Sequence, residues 1–452
     1  MQQGVSEKQA LFSNRALVAL LIPLVIETAL NLLVGMADTV MVSRVGEAAI
    51  SGVSLVDMIN NVIVNLFMAL GTGGAVVTSQ FLGARKQDSA VKSASQLWLL
   101  SLMIGLGVMA ACIALRRPML RFFFGGINED VMAAALLYFL ITALSYPCLA
   151  VYNAGAAVFR ARGNSGLPMR VNAMMNILNV IGNAICIFGL HMGVEGVALP
   201  TLAARVLGAL AMTLMGAAKD NPLRLTRDNM THIDRNMSGR ILYIGIPSAL
   251  ENCLFQFGRV IVVSMIAVFG TVHISANAVA NNLDGLGIIV GQATSLAMIT
   301  VIGQCVGARD EVQMRSYVRK MMKWVYFALG LSNVVIILGV NLFLKAYSLS
   351  AETQELSKIL VYIHCGAAIL LWPVSFVFPN SLRAANDVRY TMRTAIFSMM
   401  VFRVGLSYII CVKMGMGAVG VWIAMVADWI CRASCFLWRY FSGKWRKAAG
   451  FA

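Results

Sequence analysis

Apolar segments recur along the whole chain and are separated by short polar connections. Each is about 20 residues long, which is enough to cross a lipid bilayer as one α-helix. The pattern therefore predicts an all-α integral membrane protein with twelve transmembrane helices, spans 1 to 12. They are predicted at residues 16–43, 48–78, 94–115, 131–158, 170–190, 194–216, 241–269, 272–302, 322–344, 358–381, 394–412 and 418–438.

The second half of the chain repeats the first at an almost constant offset of 224 residues. Recurring residues are Pro23 and Pro247, Glu27 and Glu251, Gln80 and Gln304, Gly83-Ala84-Arg85 and Gly307-Ala308-Arg309, and, at offset 223, Arg160-Ala161 and Arg383-Ala384. Six spans per half give both halves the same orientation. We therefore expect two parallel six-helix repeat lobes around a central cavity.

The repeat also divides the chain. It predicts an N-lobe at 1–217, an inter-lobe linker at 218–240, a C-lobe at 241–441 and a basic tail at 442–452. Pro23 and Pro247 are equivalent, so the first helix of each lobe is expected to bend at the same place.

Composition and charge fit a membrane protein and argue against a nucleic-acid binder. The chain is 59% hydrophobic and 12% charged, and its net charge is +16. One set of alternate connections, which includes Lys8, carries 25 Lys and Arg residues, and the other set carries 7. Because cytoplasmic loops hold the excess of Lys and Arg, both termini are predicted to be cytoplasmic. The protein is predicted to lie in the cell (inner) membrane. The nine cysteines form no CxxC pair and are interpreted as small packing residues.

Charged side chains inside the spans are the main functional candidates, because each costs roughly 2.5–3.5 kcal/mol at the bilayer centre. The intramembrane acids are Glu27, Asp38, Asp57, Glu251, Asp284 and Asp428. Glu27 and Glu251 either cap backbone donors freed by the prolines or line the cavity. Asp428 and Arg432, four residues apart, are predicted to form an intrahelical pair.

Two polar stripes suggest a cation site. Span 1 carries Glu27, Asn31 and Asp38 on one face, and span 5 carries Asn172, Asn176, Asn179 and Asn183 on another. Asp38, Asn183 and Thr201 of span 6 lie at a common depth of about 9 Å below the outer surface. Their oxygens could bind Na⁺, or Asp38 could bind H⁺. The alternative is that the amides only bond neighbouring helices together.

Three other candidates lie on spans 2, 7 and 8. Asp57 of span 2 and Asp284 of span 8 are acids at non-equivalent positions of the two repeats, and with Glu27, Asn31 and Glu251 they are candidates for lining the cavity. Arg259 of span 7 is expected to pair with Glu251 or Asp284, or else to contact a substrate. The chain shows no catalytic cluster and no Gly-rich Lys loop, so neither an enzyme, an ATP-driven machine nor a bound cofactor is expected.

In the order found, these motifs resemble those of the multidrug and toxic compound extrusion (MATE) transporters over essentially the full chain. The resemblance rests on the repeated Pro-x-x-x-Glu, Ala37-Asp38-Thr39, the segment from Gln80 to Arg85, the segment from Phe159 to Asn164, and Gly193-x-x-Gly196. It implies a V-shaped cavity and export of drug-like, often cationic, small molecules against Na⁺ or H⁺.

The resemblance also implies an N-lobe cation site at Asp38, Asn179, Asn183 and Thr201. Asn183 stands where the family pattern has an aspartate, which removes one titratable group. Phe255 stands where some family branches carry a span 7 acid, so a C-lobe site of that kind is not expected. A flippase for a lipid-linked saccharide is the alternative. The only intramembrane basic residues, Arg205, Arg259, Arg403 and Arg432, are too few for pyrophosphate recognition and favour small-molecule export.

Overall fold

A computed structural model describes residues 10–125, 128–345, 347 and 349–451, so Lys8 and the first nine residues of the predicted N-lobe lie outside the described part of the chain. The described residues form helices and connecting turns, without strands. In order, the helices are Asn14–Ser43, Glu47–Gly83, Gln87–Phe124, Glu129–Leu144, Tyr146–Ala161, Gly166–Ala184, Glu195–Ala217, Arg227–Thr231, Arg235–Ala267, Thr271–Gly287, Ile289–Gly307, Glu311–Lys345, Ala351–Trp372, Pro379–Ala384, Val388–Ser398, Gly417–Phe441 and Arg446–Ala449.

Short π-helical turns interrupt or extend three of the spans. They are Ile185–Gly189 in span 5, Pro373–Val377 in span 10, and Met399–Leu406 and Tyr408–Lys413 in span 11. Among the described residues, eleven helices are long and apolar enough to cross a bilayer. A pair bent by 46°, Glu129–Leu144 and Tyr146–Ala161, makes the twelfth. The predicted fold class is confirmed.

The spans differ from their predicted form in two ways. Several helices run on past the apolar segment into polar sequence, so span 7 begins at Arg235, inside the predicted linker. A sharp bend of span 4 that was not predicted lies at Ser145, and Pro147 follows near the start of the next helix. The helices that contain Pro23 and Pro247 are continuous, and a bend at these two prolines stays a prediction.

The repeat is visible in the backbone itself. Four equivalent pairs adopt positive φ angles: Gly46 and Gly270 (137° and 90°), Arg85 and Arg309 (57° and 52°), Gly163 and Asn386 (90° and 65°), and His191 and Gly415 (52° and 71°). A left-handed backbone costs a non-glycine residue roughly 1–2 kcal/mol. Its recurrence at matching turns therefore indicates that the six-helix fold requires these turns in both lobes.

The first span of each lobe extends into the core of the other lobe. Leu17, Leu20 and Leu24 of span 1 are buried in an apolar cluster otherwise made of C-lobe residues. Ile241 and Ile244 of span 7, which are the repeat equivalents of Leu17 and Leu20, are buried in a cluster made mostly of N-lobe residues. The lobes are thus interlocked through an exchange of equivalent helix ends.

Both exchanged ends lie at the membrane face that carries the basic turns 84–86, 162–170, 308–310 and 385–389, which we call the basic face. There, Gln80 donates to the carbonyl of Ala384 (2.9 Å) and Gln304 donates to the carbonyl of Ala161 (2.8 Å), so equivalent residues bond across the lobes in both directions. Gly83 and Gly307 lie beside the same glutamines. A Cβ on Gly83 would lie under 3.0 Å from the backbone carbonyl oxygen of Gln304, and a Cβ on Gly307 would lie equally close to that of Gln80. We call this contact the seam.

The linker is fastened to the N-lobe at the same face. Gln96 of span 3 donates to the carbonyls of Asn229 (2.7 Å) and His232 (2.8 Å). Asp234 caps span 7 by accepting from the Met237 N–H (2.8 Å), and it pairs with Lys92. The hydrogen bond from Lys92, with that from the Met237 N–H, holds the pKa of the Asp234 carboxyl below its usual value.

Candidate functional site

Asp38, Asn179, Asn183 and Thr201 converge inside the N-lobe, on spans 1, 5 and 6. The Asn183 amide donates to the Asp38 carboxylate (3.0 Å). The Asn179 amide lies 2.9 Å from the Thr201 hydroxyl, which can donate its one proton either to that amide or to the Val197 carbonyl (2.9 Å). Asn179 and Asn183 are buried, whereas Asp38 is half-buried. Asp38, Asn183 and Thr201, which share a depth in the sequence, are thus linked, and Thr201 is linked through Asn179, which the family resemblance added.

The Asn179 amide has one orientation that satisfies all of its neighbours. With its nitrogen towards span 1, it donates to both Asp38 oxygens (3.1 and 3.2 Å) and its oxygen accepts from Thr201 (2.9 Å). We adopt this orientation because a carboxylate can only accept hydrogen bonds. Turning the same amide over would instead present its oxygen to the carboxylate side of the site.

The site has an unmatched acceptor. The buried Asn183 side-chain oxygen has no hydrogen-bond partner among the described residues. A buried polar atom without a partner is costly, and a bound cation would remove that cost. One carboxylate, two amide oxygens that can turn and a hydroxyl form an all-oxygen set of the kind that hard cations prefer. The residues therefore fit Na⁺, and Asp38 alone fits H⁺.

The deeper half of the span 5 stripe has another role. Asn176 donates to Asn172 (2.9 Å) and to Asn31 of span 1 (3.1 Å). These three amides hydrogen-bond spans 1 and 5 together, as the alternative interpretation of the stripe predicted. The stripe is therefore divided between a helix-bonding half and the half around Asp38.

Asp57 lies in a separate N-lobe network. Its carboxylate accepts from Asn60 (3.0 Å) and from the Tyr138 hydroxyl (3.2 Å), and Tyr146 donates to Asn60 (2.7 Å). This network joins spans 2 and 4. Whether Asp57 also contacts a substrate stays a prediction.

Glu27 and Glu251 each form an ion pair with an arginine of their own lobe. Arg160 lies 2.5 Å from Glu27, and the equivalent Arg383 lies 2.6 Å from Glu251. All four side chains are at most 14% exposed. Neither backbone capping nor cavity lining predicted this partner. The repeat held the signal, because Glu and Arg recur together.

Arg259 does not form the expected pair with Glu251, which bonds Arg383 instead. Arg259 is exposed, and it interacts with Asp284 only through electrostatic attraction. The Asp284 carboxylate contacts His364 of span 10, a partner 80 residues away that sequence reasoning missed. The ligand atoms of Asp284, His364 and Cys365 lie within 4.8 Å of one another. Arg403 and Arg259 add positive charge around Asp284, which disfavours a metal cation there.

The rest of the C-lobe interior follows the sequence. Asp428 and Arg432 form the predicted intrahelical pair (2.9 Å), which is confirmed. Phe255 packs edge-on against Phe376 (6.3 Å between ring centres) and lies beneath the guanidinium of Arg403 (5.3 Å). The aromatic ring of Phe255, next to the Arg403 cation, thus occupies the position at which a C-lobe cation site would need an acid.

Two interlocked six-helix repeats in a bilayer, with buried polar groups at one site in the N-lobe, define a membrane transporter. The family model named MatE matches residues 23–185 and 247–409, and each bound of the second match lies 224 residues after that of the first. The chain therefore belongs to this family, the multidrug and toxic compound extrusion transporters.

Relatives and solved structures agree with the family. The chain is 28% identical to the uncharacterized transporter YisQ of Bacillus subtilis, covering 94% of this chain and 95% of that protein. It is 25% identical to the probable multidrug resistance protein NorM of Thermotoga maritima, covering 96% and 94%. A multidrug resistance MATE family transporter solved in an outward-facing conformation superposes with a TM-score of 0.89 at 22% identity, covering 96% of both chains.

Proposed function

We propose that this protein is an antiporter of the cell (inner) membrane that exports drug-like, often cationic, small molecules in exchange for Na⁺ or H⁺. The proposal takes the basic face as cytoplasmic, since Lys and Arg are retained on that side. Family membership and the multidrug resistance relatives support a small-molecule substrate. Alternating access would then mean opening the seam while the opposite side closes.

The observation that carries the proposal is the Asp38 site. It is a carboxylate within the membrane that two amides bond, beside an Asn183 oxygen that no described residue bonds. A charge held at this depth without an opposite charge is costly and marks an ion pathway. A bound cation would neutralise the Asp38 carboxylate and would give the Asn183 oxygen a partner.

Span 1 offers a physical route from this site to the seam. Asp38 lies near one end of a single helix, and Leu17 to Leu24 lie at its other end in the C-lobe core. The separation from Leu24 to Asp38 is about 21 Å along an α-helix. Glu27, paired with Arg160, fixes the middle of this helix to span 4. A shift of span 1 upon cation binding would therefore act directly on the contact between the lobes.

Recognition of a lipid-linked pyrophosphate, as in a flippase, has less support. Arg160, Arg383, Arg403 and Arg432 each have a carboxylate partner within 4.0 Å. Arg205 donates to the Ser145 hydroxyl (2.7 Å). Of the four intramembrane arginines, Arg205 and the exposed Arg259 have no described carboxylate within 4.0 Å, so little basic charge is left to bind phosphates in the cavity.

The test is efflux of a cationic dye from proteoliposomes with Na⁺ and H⁺ gradients imposed separately. Wild-type protein should respond to at least one gradient, and Asp38→Asn should abolish that response while the unfolding temperature stays within a few degrees. Asp88→Asn, which makes the same change at an exposed position of the basic face, is the matched control and should transport normally. Normal gradient-driven efflux by Asp38→Asn would remove the site from the mechanism.

A further inference from the structure

A large cleft opens on the basic face directly above the seam. Its volume is about 980 Å³, and both lobes line it. Gln80, Gly83 and Gly307 form part of its wall, so its shape depends on the lobes being in contact at this face. The short terminal helix Arg446–Ala449 forms another wall.

Five cations converge on this cleft, and Asp310 is the single acid among its lining residues. The cations are Arg85, Lys86, Arg240, Arg309 and Lys447. All five are exposed, and none takes part in an ion pair within 4.0 Å of a described carboxylate. Asp310 is buried and accepts from the Gln313 N–H (3.0 Å) at the start of span 9. The described residues therefore leave a net positive charge in the cleft.

The two repeats contribute to this charge differently. Arg85 and Arg309 are equivalent and share the same left-handed backbone, which fixes both at the cleft. The next position is Asp310 in the C-lobe, where it caps span 9, but it is Lys86 in the N-lobe, where span 3 has no side-chain cap. Lys86 and the uncapped N–H groups of span 3 thus favour an anion on the N-lobe side.

The terminal segment is built to hold its lysine at the cleft. Trp445 is fully buried, stacks on Tyr440 (5.6 Å between ring centres) and donates to the Tyr440 carbonyl (3.0 Å). Arg446 pairs with Glu311 (2.8 Å). These contacts anchor the helix that carries Lys447, so its charge stays beside those of both lobes.

We propose that this basic cleft binds an anion with at least two phosphate groups and that the bound anion stabilises contact between the lobes at the seam. Several unneutralised cations around one cleft match the charge of such a ligand, and guanidinium groups bind phosphate through paired hydrogen bonds. A soluble di- or triphosphate and the two-phosphate headgroup of an anionic phospholipid share this chemistry. Because Arg85 and Arg309 belong to different lobes, the anion would bridge them only while the seam is closed.

An excess of basic residues on one face is ordinary for a membrane protein, because it sets the orientation in the bilayer. Setting the orientation does not require these residues to line one cleft. Arg170 and Arg393 provide the comparison. They are another repeat-equivalent pair, also exposed, and do not line the cleft. Replacing either pair with glutamine removes the same charge from the same face.

The experiment measures binding of inorganic pyrophosphate to the full chain by calorimetry in delipidated detergent solution, at low and high salt. A second arm measures the unfolding temperature in phosphatidylcholine nanodiscs with and without cardiolipin. We expect saturable, salt-sensitive binding of at least one probe. The double variant Arg85→Gln with Arg309→Gln should lose roughly tenfold or more in affinity for that probe. Arg170→Gln with Arg393→Gln should bind as the wild type does.

Competition identifies the source of the anion. If cardiolipin raises the unfolding temperature and added pyrophosphate cancels that rise, the lipid headgroup occupies the cleft. If pyrophosphate binds and cardiolipin has no effect, the cleft is a site for soluble anions. Binding of neither probe, or equal losses in both double variants, would overturn the proposal. Lys447→Gln repeats the test if the Arg85 and Arg309 variant fails to fold. Because transport is not measured, failure of the proposed export function would leave this result unaffected.

Discussion

The seam can be opened by adding a single methyl group. Gly83→Ala would place a Cβ under 3.0 Å from the Gln304 carbonyl oxygen, and Gly307→Ala would do the same against Gln80. Ordinary contact is about 3.5 Å, so the two backbones have to separate by more than about 0.5 Å. Both sides are helical backbone and neither can turn aside. The strain is therefore relieved by parting the lobes at the basic face.

The expected magnitude follows from the cost of overpacking, which is about 1–3 kcal/mol per added group in a well-packed site. Only the closed seam bears this cost, so the equilibrium between closed and open seam should shift by roughly fivefold to 150-fold. Each single variant should shift it, and the double variant should shift it further.

The assay is a distance measurement between spin labels at Asp88→Cys and Val312→Cys, two exposed and repeat-equivalent positions, after replacement of the nine native cysteines. Gly83→Ala should lengthen the distance distribution. Gly107→Ala and Gly366→Ala add the same methyl group where nothing lies within 4 Å, and should leave it unchanged. An unaltered distribution in the double seam variant would refute the claim that close backbone contact closes this face.

Two further predictions concern the buried polar groups. Glu27→Gln and Glu251→Gln should each lower the free energy of unfolding by a similar amount, about 3–5 kcal/mol, because each leaves a buried arginine without its partner. Unfolding in a common detergent measures this loss, and adding Arg160→Gln to Glu27→Gln should partly restore the stability. Unequal losses would mean that the two repeats use their pairs differently. Thr201→Ala combined with Asn179→Ala should weaken the apparent cation affinity in transport assays about as much as the worse single change, since groups that bind one ion are not additive; strict additivity would show that they do not share an ion.

The sequence predicts most of what lies within one helix or recurs between repeats. The spans follow from the apolar segments, the repeat from residues that recur at a constant offset, and the depth shared by Asp38, Asn183 and Thr201 from the rise of an α-helix. Partners on distant helices do not. Asp284 and His364 are 80 residues apart, and periodicity reveals which face a residue occupies without revealing which helix packs against that face.

The exchange of spans 1 and 7 was hidden for a different reason. Leu17 and Ile241 lie in apolar segments, and lipid chains are as apolar as a protein core, so hydrophobicity does not distinguish the two environments. Similarly, the charge count placed Arg160 and Arg383 with the basic connections and gave no sign that each pairs with a buried glutamate.

The location of the two glutamate–arginine pairs has an electrical consequence. When water enters a cavity from one side, the membrane potential falls mainly across the dry part of the protein. Arg160 lies at the contact between the lobes on the basic face, where its carbonyl accepts from Thr300 of the other lobe (3.1 Å), and this closed side would be dry if water entered from the opposite side. An isolated charge moving through the whole field would exchange about 2.3 kcal/mol per 100 mV. Because each arginine carries its own glutamate, the pairs move as neutral units, and opening of the lobes at this face should respond little to voltage.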